Sequence, residues 1–110
     1  MINPKTPFIC LFGETPFIKA LDFFLTYDDF DYSKCQVAEE TGVARMTMDN
    51  VWNELIRKQI IVKTRVIGRA EMYKLNKKSQ IVKVLLDFDM KLCSSAVRNE
   101  LVSVKNSVIV

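Results

Sequence analysis

Arg45, Met46, Asp49, Asn50 and Asn53 recur at the steps that a helix turns onto one outward face. Their chemistry suits the edge of a base. Arginine donates two hydrogen bonds to guanine, asparagine pairs both ways with adenine, and aspartate accepts from the amino group of cytosine. Asp49 can equally neutralise Arg45 across one helical turn, and the row as a whole also reads as a polar helix surface. A second group, Lys63, Arg65 and Arg69, lies in a β-branched stretch. Cations there either reach a DNA backbone or minor groove, or protect an exposed strand from aggregation.

Other chemistries find few residues to carry them. With 0 histidines, the Ser-His and Cys-His catalytic pairs and every Cys/His zinc site are excluded. Cys10, Cys35 and Cys93 are odd in number and far apart, so they read as reduced, largely buried thiols of a cytosolic protein. Cys35, beside Lys34, reads either as a redox switch or as a buried structural thiol, and the buried thiol is expected. The carboxylates of residues 1–32 lack metal-loop spacing, and no glycine-rich phosphate loop is present. No enzyme, cofactor or metal is expected. The longest apolar run, Phe8 to Phe12, is too short for a signal peptide core or a membrane span, so a cytoplasmic protein without membrane contact is expected.

The elements that would position these residues are legible in order. Thr15-Pro16 starts a helix, with Phe17, Ile18, Leu21, Phe24 and Leu25 forming an apolar stripe and Asp28, Asp29 and Asp31 ending it. Ser33 and Gln36 form a capping box, Tyr32 and Val37 the matching hydrophobic staple, and Gly42 the helix stop. A third helix is predicted from about Ala44 to Lys58, with Met48, Val51 and Leu55 inward. The link Thr41-Gly42-Val43-Ala44 is that of a helix-turn-helix, and Ala38 supplies the small residue where its helices cross.

The period then becomes strand-like, with Ile60–Val66 and Ala70–Leu75 joined by a type II′ turn at Gly68-Arg69. Folding about that turn pairs Val62 with Leu75, Thr64 with Tyr73, Lys63 with Lys74 and Arg65 with Met72. Two opposed lysines cost stability unless an anion sits nearby. Trp52 and Tyr73 are expected to pack between helix and hairpin rather than stack on bases. A closing helix starts near Ser79, with Ile81, Leu85, Phe88 and Leu92 on one face and Val82 and Leu86 beside them. Lys83, Asp87 and Lys91 are spaced for charge pairs. The expected fold is mainly α with a two-stranded β-hairpin wing (α+β), a winged helix-turn-helix over residues 1–93. Residues 94–110 form a tail, helical or extended.

A chain of 110 residues, 49% apolar and 26% charged, makes one domain. Its net charge of +3 is uneven. Residues 1–32 carry two Lys/Arg against five Asp/Glu, and residues 33–78 ten against five. A basic middle suggests an anion-binding face.

The stretches Leu11-Phe12-Gly13-Glu14-Thr15-Pro16, Asp31-Tyr32-Ser33-Lys34, Ile67-Gly68-Arg69-Ala70 and Tyr73-Lys74-Leu75-Asn76 resemble archaeal winged helix-turn-helix transcriptional regulators, as does Ser79 with Ile81-Val82-Lys83. The resemblance runs from about Phe8 to Leu92. It departs at Gln80, where a proline is common, and at Ala44-Arg45-Met46, which replaces a more hydroxyl-rich helix start. The resemblance implies a DNA-binding fold, usually dimeric, in a gene regulator. The expected partners are therefore double-stranded DNA and a second copy of the chain. The third helix would enter the major groove, and Phe17, Phe24, Leu85, Phe88 and Leu92 would form a dimer seam joined by Phe12. A protein-contact module with little DNA affinity is the competing expectation.

Overall fold

A computed structural model describes residues 6–99, with side chains as far as Ser95. A short helix not expected from the apolar stretch, α1 (Pro7–Phe12), opens it. Thr6 explains the helix: its Oγ1 accepts from the Ile9 N–H at 3.2 Å, and Pro7 fills the first turn without losing a needed donor. The Thr15-Pro16 signal starts α2 (Pro16–Thr26) in the same way, with Ile18 N–H donating to Thr15 Oγ1 at 3.3 Å. Asp22 is buried on α2 and accepts from the Thr6 hydroxyl at 2.8 Å.

Tyr32–Ser33 forms a two-residue strand, β1, leading into α3 (Lys34–Thr41). The capping box forms as expected: Ser33 N–H donates to Gln36 Oε1 at 2.8 Å and Gln36 N–H to Ser33 Oγ at 3.2 Å. Gly42 ends α3 at φ 74°, a left-handed conformation that costs a side-chain-bearing residue about 1–2 kcal/mol. Then come α4 (Arg45–Arg57), β2 (Ile61–Ile67), β3 (Ala70–Leu75) and α5 (Gln80–Asn99). The closing helix thus runs without a break past Cys93 to Asn99, and the rest of the tail, expected as helical or extended, lies outside the described residues.

The wing has three strands rather than two, in the order β1-β3-β2, all antiparallel. β1 pairs Tyr32 with Tyr73 and Ser33 with Met72. Between β2 and β3 the expected register holds near the turn, with Ile67 opposite Ala70 and Arg65 opposite Met72. A bulge at Thr64 then shifts it by one residue, placing Lys63 opposite Tyr73 and Val62 opposite Lys74. The opposed lysine pair does not occur, and the hint of an anion that it carried falls with it. Lys63 instead meets Glu71 at 3.4 Å.

The core draws on every helix and the sheet. Phe8, Phe24, Val37, Met48, Leu55, Ile61 and Val82 are its largest fully buried side chains. Trp52 is buried and meets Tyr73 edge-on, ring centroids 5.5 Å apart, as expected of a packing pair. Phe24 is 0% exposed, between Trp52 and Tyr32, and so cannot contribute to a dimer seam. The cysteines also differ from expectation: Cys10 and Cys35 are exposed and Cys93 is half-buried. Thiols are buried on average as a residue type, but α3 turns Val37 and Ala38 inward and leaves position 35 outside.

Candidate nucleic-acid interface

The helix-turn-helix consists of α3, the turn at Gly42, and α4. Gly42 N–H donates to the Ala38 carbonyl at 3.0 Å, and Thr41 Oγ1 to the Val37 carbonyl at 2.7 Å, so the last turn of α3 is closed before the chain reverses. Val43 drops into the core, and Ala44 begins α4 without a side-chain cap. Its methyl leaves the first-turn N–H groups to solvent or to an incoming oxyanion.

Burial of Met48, Val51, Trp52 and Leu55 fixes the rotation of α4. Arg45, Met46, Asp49, Asn50 and Asn53 are consequently all exposed, Met46 by 82%. The row is brought together as its period implies, but two of its members are engaged with α3. Arg45 Nη2 donates to Cys35 Sγ at 2.7 Å, a contact that pushes the guanidinium value up. Asp49 makes its ion pair with Lys34 Nζ at 2.7 Å and acts on Arg45 only at longer range. Lys34, Cys35, Ala38, Arg45, Met48 and Asp49 thereby line a shallow cavity of about 300 Å³ where the two helices meet. Lys34 and Cys35 were absent from the expected site. Their nearness to the row depends on the crossing of α3 and α4, which helical period alone does not give.

In the wing, Gly68 at φ 62° makes the turn and Arg69 stands exposed at its tip. Arg69 makes no ion pair among the described residues. Arg65 differs. Its Nε and Nη2 donate to the two oxygens of Asp31 at 2.9 and 3.1 Å, a bidentate pair. Thr64 Oγ1 donates to the same carboxylate at 2.5 Å and lies 3.2 Å from the Met72 carbonyl. These bonds hold the Asp31 carboxyl at about 2, against an ordinary 3.8. Asp31, the residue before β1, is the positioning group that sequence reading missed.

Of the remaining seam residues, Phe17, Leu85 and Leu92 are half-buried and pack against the chain's own core. Phe88 is 36% exposed and touches Phe12, ring centroids 6.0 Å apart. On the same two helices Leu11, Phe12, Ile81 and Val84 expose 48–63% of their surface.

No protein-family model matches the chain, and no curated protein sequence matches it. Solved structures do. A doubly substituted mutant of Lactococcus lactis ZitR, in apo form, aligns at a TM-score of 0.57 and 14% identity over 83% of this chain and 78% of that one. The adhesin competence repressor AdcR of Streptococcus pyogenes aligns at 0.53 and 11% identity over 83% and 63%. A singly substituted ZitR mutant in complex with DNA aligns at 0.55 and 11% identity over 83% and 61%. The fold is a winged helix-turn-helix. At these identities the likeness establishes architecture, and the residues on α4 and the wing must carry any argument about binding.

Proposed function

We propose that the chain binds double-stranded DNA with sequence preference, as a homodimeric transcriptional regulator acting by binding rather than catalysis. The observation that carries this reading is the exposed row Arg45, Met46, Asp49, Asn50 and Asn53, held rigidly outward by the buried face of α4. That helix enters the major groove, and the wing, led by Arg69 with Lys63 and Arg65, meets backbone or minor groove. The solved likeness that holds DNA supports the reading. Selection from a random duplex pool tests it: enrichment of one motif is expected, and a pool that stays random contradicts it.

The second reading, a protein-contact module, draws on the ion pairs. Lys34, Lys63, Arg65 and Lys77 all face carboxylates and Arg57 and Lys58 share Glu54, so six of the ten cations of residues 33–78 are paired. The Lys34 and Lys63 pairs are exposed at both ends, and such pairs contribute only ~0–1 kcal/mol, little enough to exchange for phosphate. DNA binding is therefore preferred. Dimerisation is proposed through the α1–α5 surface around Phe12 and Phe88, with Ile81 and Val84 in place of the buried Phe24.

A further inference from the structure

A second cavity, of about 390 Å³, opens between α2 and α3 and is lined by Phe23, Tyr27, Tyr32, Gln36, Glu39 and Glu40. Sites for small molecules run from roughly 300 to 1,000 Å³, so the volume suffices for a small ligand. The period of each helix builds its walls. Phe23 and Tyr27 stand one turn apart at the end of α2, and Gln36, Glu39 and Glu40 share one face of α3. Tyr32 lies between them. The Phe23 ring centroid is 5.0 Å from that of Tyr27 and 4.9 Å from that of Tyr32, tilted by 53° and 74°, so three rings form a corner.

The charge about this corner has one sign. Glu39 and Glu40 make no salt bridge among the described residues, Glu39 acts on Arg45 only at longer range, and no basic residue lines the cavity. The Tyr32 hydroxyl is held above its ordinary value by burial first, then by Tyr27 and the carboxylates of Asp29, Asp28 and Asp31. Their partners, Lys77 and Arg65, stand outside the lining.

We propose that this cavity binds a small organic cation of the quaternary ammonium class. Anions are repelled by the two glutamates, and a neutral apolar ligand gains nothing from them. A compact ammonium such as lysine's keeps its water strongly. A quaternary ammonium gives up little hydration and is attracted by both ring faces and carboxylates. The site does not depend on the DNA reading. α3 presents Lys34, Cys35 and Ala38 toward α4 and Gln36, Glu39 and Glu40 to this cavity, so the two share a helix but no lining residue, and Glu39 feels Arg45 only through space.

Titration calorimetry on the intact protein tests it, with choline against 3,3-dimethylbutan-1-ol, which replaces the nitrogen by carbon at the same shape. Choline is expected to bind saturably and about tenfold more tightly than the alcohol, since the rings and carboxylates act only on the charged form. Tyr27→Leu keeps apolar bulk at a half-exposed position but removes one ring, and should weaken choline about three- to fivefold. Glu40→Gln should weaken it as well, with circular dichroism unchanged in both variants. Absent choline binding, equal affinity for the alcohol, or an unchanged affinity in a folded Tyr27→Leu variant overturns the proposal. Choline headgroups also occur on lipids. Retention on phosphatidylcholine vesicles without binding of free choline overturns the small-molecule assignment, and choline binding without retention supports it.

Discussion

The Asp31 carboxylate accepts from Arg65 and Thr64 together, and each bond favours its charged form. Its value in the folded chain, about 2, lies below the ordinary 3.8. A depressed carboxylate adds stability above its unfolded value and loses it as pH falls through the folded one. The contribution should therefore fade between about pH 4 and pH 2. Asp22 and Asp89 have the opposite sign, because burial raises both and favours the folded state at lower pH. Urea unfolding across that window should show the native protein losing stability faster than Asp31→Asn; parallel curves would contradict the assignment. On DNA, residue roles should separate by what each touches. Arg69→Ala should weaken specific and random duplex alike and flatten the salt slope by about one. Asn50→Ala should cost ~1–3 kcal/mol on the preferred site and little on random DNA. Equal losses for Asn50→Ala on both would make it a phosphate contact.

Elements differ in how much of their cause lies within themselves. The capping box, the Gly42 stop, the two faces of α4 and the Gly68 turn are local in sequence, and each forms as the residues imply. The strand β1 does not. It is two residues long, and its partners Met72 and Tyr73 lie about forty residues away, so no periodicity announces it. The bulge at Thr64 likewise coincides with a contact to a distant carboxylate, the hydrogen bond from Thr64 to Asp31, which the turn and the strand period do not contain. At the candidate site the outward row was legible, while the Arg45–Cys35 and Lys34–Asp49 contacts depend on the helix crossing. The end of α4 offers a test. Gln59 adopts φ 60°, where glycine meets no steric penalty, while its carbonyl still accepts from Asn76. Gln59→Gly should raise stability by about 0.5–1 kcal/mol in denaturant unfolding, after its larger unfolded-state entropy is counted. A loss would mean that the Gln59 side chain contributes more than its backbone costs.

At the scale of the molecule, α1 and α5 leave Leu11, Phe12, Ile81, Val84 and Phe88 exposed, apolar surface that the other described residues do not cover. Such a surface favours a self-complementary contact. Light scattering should give a dimer mass at micromolar concentration, and Phe88→Glu should give a monomer, because an unpaired carboxylate buried in an apolar seam is strongly disfavoured. The wild type running as a monomer would remove this seam. Among the described residues no helix is long and apolar enough to cross a membrane. The central claim, that α4 and the wing form a DNA-binding face, is tested most directly by fluorescence anisotropy of the intact protein with labelled duplex across a range of salt. Each phosphate neutralised by lysine or arginine contributes about −0.9 to the slope of log affinity against log salt. Several such contacts per protomer predict a slope steeper than about −3. Absent binding at low salt, or an affinity that ignores salt, would contradict it.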